Sequence, residues 1–229
     1  NCDVGVVLNV AADHLGLGDI DTIDQMARVK GVIAEAVHGD GYAVLNADDE
    51  RVAAMANRVV GKVAYFSMDP QNPLVQDHVR DGGIAAVYQD GHIVILQNEW
   101  VHRIENVEKV PLTLGGRAPF MIANALAASL ATFVQGIKVE QIRAALRSFE
   151  ASAQQAPGRM NLFNMGQYHV LVDYAHNPAG YEAVGGFVKN WSGPTIGVVG
   201  GPGDRRDEDL IGLGQLAATF FDHIIVKED

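Results

Sequence analysis

The stretch YAVLNADDERVAAMANRVVGKVAYFS, residues 42–67, decides the fold class. Tyr42 to Asn46 and Lys62 to Ser67 read as short strands, and Asp49 to Arg58 between them reads as a helix. The pattern continues on the N-terminal side. Asp3 to Val10 is apolar and β-branched, as in a strand buried on both faces. Thr22 to His38 has helical period, with Ile23, Met26, Ala27, Ile33, Ala34 and Val37 on one face. Strand and helix in alternation are the signature of βαβ units and a parallel sheet, so the fold class is α/β.

On the C-terminal side the texture changes. Ile84 to Tyr88 and His92 to Leu96 flank Gln89-Asp90-Gly91, and Asp-Gly is a strong hairpin signal. Trp100 to Ile104 and Val107 to Leu112 are expected to extend that hairpin into an antiparallel patch. Pro119 to Val134 reads as a helix apolar on nearly every face, hence central, with Asn124 in its second turn. Val139 to Phe149 reads as an amphipathic helix. Ala151 to Gly158 is small, polar and contains Pro-Gly, which marks a domain boundary. A second α/β run follows: strands at Tyr168–Asp173, Pro194–Val199 and His223–Val226, and helices at Pro178–Asn190 and Glu208–Phe221. The expected domains are residues 1–156 and 157–229.

Composition narrows the function classes. With 17 Lys+Arg against 28 Asp+Glu the net charge is −11, which argues against non-specific nucleic-acid or anionic-membrane binding. No apolar run approaches the ~20 residues of a membrane span. Cys2 is the one cysteine, which excludes an internal disulfide framework and CxxC-type zinc sites and fits a reducing cytosol. The chain opens without Met, almost directly on Val4 to Leu8, and reads as a fragment.

Several residues stand out. Lys30 lies on the otherwise apolar stripe of its helix, where an ammonium must snorkel, pair or be chemically altered. Asn9, Asp13 and His14 follow the first strand, at the end of the sheet where α/β proteins bind ligands, so Asp13 and His14 are candidates for a hard cation or phosphate. Asp173 closes an apolar strand, His176 sits in the loop after it, and Asn177-Pro178 have the chemistry of a helix start. Gly200-Gly201-Pro202-Gly203-Asp204-Arg205-Arg206-Asp207 lies between a strand and a helix, the place of a phosphate-cradling loop. It fails as a dinucleotide fingerprint, because Arg206 stands where the last glycine belongs. A Walker A loop is absent: the one Gly-Lys pair is Gly61-Lys62, followed by Val63 and with Ala56 at the first glycine position. A G-x-S-x-G elbow and an H-E-x-x-H helix are absent too.

Taken in order, these segments resemble the Mur ligase family of ATP-dependent amide-bond ligases. Asn9 to Leu15 resembles its N-x-x-x-D-H-L segment, Asn46-Ala47-Asp48-Asp49 its N-A-D-D turn, and Asn124 to Ala128 its adenine-contacting helix. Pro157-Gly158-Arg159-Met160 resembles the P-G-R-[MF] entry to its C-terminal domain, Asp173 to Pro178 the D-Y-A-H-x-P signature, and Gly200 to Arg205 the G-x-x-G-D-R loop. The resemblance implies the later part of a parallel-sheet central domain followed by part of a Rossmann-like C-terminal domain. It implies ATP and Mg²⁺ as cofactors. His14 and a carbamylated Lys30 would hold the metal, and Asn124, Arg159, Asp173 and Asn46 the nucleotide. Lys30, Asp173 and His176 would be catalytic, with His176 facing the transferring phosphoryl group.

Within the family, Ala12 to Asp19, Gly115 to Asn124 and Val199 to Asp209 resemble the module that adds arginine to a poly-aspartate backbone. Phe120-Met121 departs from the His-Asn that other members typically carry, so the adenine contacts differ. The implied substrates are arginine and an aspartate/arginine polymer. Asp204, Arg205 and Asp207 are candidates for the substrate, and the acidic run to Glu208 and Asp209 for the arginine guanidinium. The resemblance further implies P-loop and ATP-grasp regions upstream in the same polypeptide, a cytoplasmic homo-oligomer, no membrane or nucleic-acid partner, and no activity of this chain alone. Two alternatives stay open: another Mur-type ligase, muramyl or folylpolyglutamate, and a non-catalytic nucleotide-binding or oligomerisation module.

Overall fold

A computed structural model describes residues 2–13, 15–16, 19–201 and 206–227. They form two compact units, Asn1–Val10 with Ile23–Phe149, and Ala11–Thr22 with Glu150–Asp229.

The first unit is built on one six-stranded sheet in the order β1 (Cys2–Val7), β2 (Val37–Asn46), β3 (Lys62–Ser67), β4 (Ile84–Gln89), β5 (His92–Gln97), β6 (Trp100–Asn106). β1 to β4 run parallel, and β5 and β6 return antiparallel. The crossovers between the parallel strands are α1 (Ile23–Glu35), α2 (Glu50–Ala54) and α3 (Pro73–Arg80). Because successive crossovers share one hand, these helices cover one face. Ala34, Val52 and Val75 join Ala43, Leu45, Tyr65 and Val87 there. α4 (Pro119–Val134) and α5 (Val139–Ser148) cover the other face, where Ile122, Ala125, Leu126 and Ile142 join Val44, Phe66, Ala86 and Ile95. Neighbours along β2 thus enter different cores, which is why the strands lack a polar face. Phe66 and Leu126 are fully buried, each contributing about 1.5–3 kcal/mol of apolar burial. Gly5 lets α1 approach β1: a Cβ there would lie 2.6 Å from the Ile33 carbonyl oxygen.

The Asp90-Gly91 turn joins β4 to β5 with φ of 49° and 75°, the two left-handed residues of a type I′ hairpin. Three expectations need correction. Val107 to Leu112 forms no strand; it folds into 3₁₀ turns at Val107–Lys109 and Pro111–Thr113. Asn106 caps the first by accepting from Glu108 N at 2.8 Å, and Pro111 removes a ladder donor. α1 stops at Glu35, so Val37 belongs to β2, while Ile33 is 47% exposed. α3 is an additional helix, started by Asn72, which accepts from Leu74 N and Val75 N, and by Pro73 in its first turn.

Glu105 is a buried carboxylate, 6% exposed, paired with Arg147 and accepting from Asn106 N at 2.8 Å. Burial raises its pKa, but the Arg147 bond, the Asn106 N–H and the charges of Arg147 and Lys109 outweigh that and leave it lowered. A lowered carboxylate stabilises the fold above its unfolded pKa, and the contribution fades as pH falls through the folded value. Arg147→Met is expected to cost about 1–3 kcal/mol at neutral pH. It should also flatten the loss of stability on acidification, measured by urea melts from pH 7 to 3. An equally steep acid loss in the variant would refute the pairing.

The second unit opens with the hairpin β7 (Asn161–Asn164) and β8 (His169–Val172); β7 is not evident in the sequence pattern. α6 (Pro178–Val188), β9 (Ile196–Val199), α7 (Asp207–Ala217) and β10 (His223–Val226) follow, with β9 and β10 parallel. Tyr181 of α6 packs with Leu213 and Ala217 of α7 over Val199 and Phe221.

Candidate functional site

In the first unit the polar residues gather where the chain leaves β1. Asn46, at the carboxyl end of β2, donates from Nδ2 to the Leu8 carbonyl at 2.8 Å and accepts from Asp48 N at 2.9 Å. Asp49 accepts from Val10 N at 2.7 Å and also caps α2 through Arg51 N and Val52 N. Asp48 ties the same turn to β3, accepting from Ser67 Oγ, Met68 N and Asn72 Nδ2. The N-A-D-D turn therefore fixes the path of Leu8 to Val10, and Asn46 uses both ends of its amide within the chain.

Lys30 is half-buried, and its Nζ donates to the Asn9 carbonyl at 3.3 Å. That contact accounts for an ammonium beside Met26 and Ala34: it snorkels to the end of β1. Asn124 is half-buried on α4, its Nδ2 3.7 Å from Met121 Sδ, a weak acceptor. Of the implied metal ligands, His14 lies outside the described residues. Lys30 as an ammonium has no lone pair to offer. Among the described residues no three His, Cys, Asp or Glu side chains gather to hold a metal ion. Mg²⁺ sites are built from oxygen ligands, which Lys30 would supply only as a carbamate.

In the second unit, Asp173 closes the strand end against the Pro157–Met160 turn. Its Oδ2 accepts from Met160 N at 2.9 Å, and Tyr174 N donates to the Gly158 carbonyl at 2.8 Å. Asn161, 3% exposed, organises that turn. It donates to the carbonyls of Ala151, Ala156 and Arg159 and accepts from Gly158 N. Asn161 carries no sequence signal beyond following Met160. The Arg159 guanidinium lies 5.3 Å from the Tyr174 ring centre, a cation–π contact that orients it.

His176 is held at both ends. Nδ1 donates to the Tyr174 carbonyl at 2.9 Å, and Nε2 lies 3.2 Å from Asp13 Oδ2. The same oxygen accepts from Asn177 Nδ2 at 3.0 Å, while Asn177 Oδ1 caps α6 through Gly180 N. Asn177 and Pro178 are thus the helix start that the sequence implies, and Asp13 faces side-chain N–H groups.

Asp204 and Arg205 lie outside the described residues. Asp207 begins α7. Glu208 and Asp209, read as an open seat for a guanidinium, are already occupied by this chain's own Arg206. It bonds Asp209 bidentately, at 2.8 and 3.0 Å, and Glu208 at 2.8 Å. Arg206 has its pKa raised by the Asp209 hydrogen bond first, then by the charges of Asp209, Glu208 and Asp21. The second unit also contains a cavity of about 480 Å³, walled by Val184, Phe187 and Trp191 and reaching Asp173.

A model of the Mur ligase middle domain matches residues 1–132, and one of the Mur ligase, glutamate ligase domain matches residues 158–229. Cyanophycin synthetase of Crocosphaera subtropica is 70% identical over the whole chain, and that of Trichormus variabilis is 68% identical. The chain spans 26% of the length of each. A UDP-N-acetylmuramoyl-L-alanyl-D-glutamate--2,6-diaminopimelate ligase of Bacillus cereus is 26% identical over 99% of this chain and 44% of its own. Among solved structures, MurF from Acinetobacter baumannii superposes with a TM-score of 0.71 at 20% identity, covering 98% of this chain and 46% of that one. At that identity the likeness concerns the fold.

Proposed function

Because the chain belongs to the Mur ligase family, we propose that it is part of an ATP-dependent amide ligase that joins arginine to the aspartate β-carboxylates of a poly-aspartate chain. The observation carrying this reading is the identity of 68–70% over the whole chain to two cyanophycin synthetases, against 26% to the diaminopimelate ligase. In the proposed reaction the γ-phosphoryl group of ATP passes to a β-carboxylate oxygen and ADP leaves. The α-amine of arginine attacks the resulting acyl carbon. A C–N bond forms, the C–O bond to phosphate breaks, and phosphate leaves as the amine gives up a proton.

Such a reaction asks the protein for positioning and for charge neutralisation rather than a covalent nucleophile. Asn124, with its amide on a thioether, is free to serve the adenine, and Arg159 to reach a phosphate. Asn46 acts by fixing the end of β1, since its amide is used within the chain. Asp173 holds the Arg159 turn in place, and His176 faces the transferring phosphoryl group. Asp204, Arg205 and Asp207 form the proposed contacts to the substrate. P-loop and ATP-grasp regions elsewhere in the polypeptide, a cytoplasmic location and a homo-oligomer complete the proposal.

The deciding experiment is an incorporation assay on the full-length protein with ATP, polymer primer and one labelled amino acid at a time. Arginine should be incorporated, and glutamate and diaminopimelate should not; incorporation of either would overturn the reading in favour of a folate or muramyl ligase. On the family resemblance, Mg²⁺ would be held by His14 and Lys30, the latter as its carbamate. Lys30→Ala is then expected to lower arginine addition about a hundredfold, and crystals grown with bicarbonate and Mg²⁺ should show added density on Nζ. Full activity of the variant, or a bare Nζ, would exclude the carbamate.

A further inference from the structure

We propose that Asp13 is a positioning residue for the reaction, setting the His176 imidazole and the start of α6 through one carboxylate oxygen. This rests on His176 facing the transferring phosphoryl group. The geometry differs from that of a cation ligand. Asp13 Oδ2 takes His176 Nε2 at 3.2 Å and Asn177 Nδ2 at 3.0 Å, across more than 160 residues of sequence. Asp13 is 16% exposed and His176 32%, so the contact is sheltered from competing water. Its segment, Ala11–Thr22, packs in the second unit although it leaves β1 of the first. Gly16 of that segment also lies against the Arg206 side chain, beside the start of α7. The segment therefore reaches the first turns of both α6 and α7, the end of an α/β unit where ligands bind.

With Nδ1 on the Tyr174 carbonyl and Nε2 on Asp13, the ring is pinned at opposite edges. Removing Asp13 takes away the hold on Nε2, and the ring can swing away from the reacting atoms. Loss of such an outer support typically lowers activity about 10–100-fold.

The test compares Asp13→Ala, Asp13→Asn, His176→Ala and the double variant Asp13→Ala/His176→Ala in the full-length protein. Asp13→Ala should lower kcat about 10–100-fold while KM for ATP stays within about threefold. Asp13→Asn keeps an acceptor oxygen and the fold, and should recover to within about fivefold of the parent. In the His176→Ala background, Asp13→Ala should add less than about threefold, because residues acting as a unit are non-additive. Separately, diethyl pyrocarbonate should modify His176 faster in Asp13→Ala than in the parent, mapped by peptide mass spectrometry. Multiplicative losses in the double variant, or an unchanged modification rate, would overturn the proposal. Unchanged turnover in His176→Ala would instead overturn the role of His176, and the modification rate would still judge the contact.

Discussion

His176→Ala in the full-length protein is expected to lower arginine addition by more than about a hundredfold, or ~2.7 kcal/mol of transition-state stabilisation. The ring follows β8, with Asn177 and Pro178 opening α6 directly behind it. The Tyr174 carbonyl and Asp13 engage both ring nitrogens and so fix the ring where, on the proposed reading, a phosphoryl group would carry spreading negative charge. Groups fixed in this way act without reorganising at the moment of reaction, which is why deleting one is costly. Nucleotide affinity should change less than about threefold, since the proposed nucleotide contacts are the side chains of Asn124 and Arg159. Single-turnover arginine incorporation, with ATP binding measured in parallel, checks both halves. If incorporation persists within about threefold, under ~1 kcal/mol, His176 does not face the phosphoryl group.

What the sequence disclosed depended on how local the signal was. The extent of α4, Pro119 to Val134, matches its reading because Pro119 opens the helix and nearly every face is apolar. The Asp90-Gly91 hairpin was legible because Asp-Gly turn chemistry matches the twist of its strands. α3 carried the same Asn-Pro start as α6, but it is short and Val75 is its one buried residue, so its periodicity was weak. Val107 to Leu112 looked like a strand from its composition, and the capping by Asn106 outweighed that. At the site, Asn177 was legible as a helix cap. The partner of His176 was not. Asp13 stands beside His14 and invites one reading for both, and no local pattern sends it to a helix start more than 160 residues on. Asn161 was invisible for the same reason: its four hydrogen bonds organise a turn whose own residues carry the motif.

The 229-residue chain on its own is expected neither to turn over ATP nor to add arginine. A triphosphate needs a cradle of backbone N–H groups with a lysine, and the sequence offers one Gly-Lys pair, Gly61-Lys62. The structure gives that pair a different task. Gly61 precedes β3 at its amino end, and a Cβ on it would meet the His38 carbonyl oxygen at 2.6 Å and the Gly41 carbonyl oxygen at 2.8 Å. Its bareness therefore serves close packing of the chain around β2. Lys62 Nζ lies 5.3 Å from the Tyr42 ring centre, and in the parallel β2–β3 pair Tyr42 is the residue opposite Lys62. Asn46 and Ser67 mark the other end of those strands, where ligands of a parallel sheet bind. The cavity in the second unit offers no substitute, since no lysine or arginine lines it. On the proposed reading, Asn124 and Arg159 serve only the adenosine end and a phosphate edge. Phosphoryl transfer requires in-line placement, and a misplacement of ~1 Å costs about a hundredfold; an unheld triphosphate should lose far more. Calorimetry should accordingly find nucleotide binding much weaker than in the full-length protein, and a phosphate-release assay with arginine and primer should stay at background. Turnover near that of the full-length protein would place the phosphate cradle within residues 1–229 and overturn the argument from Gly61.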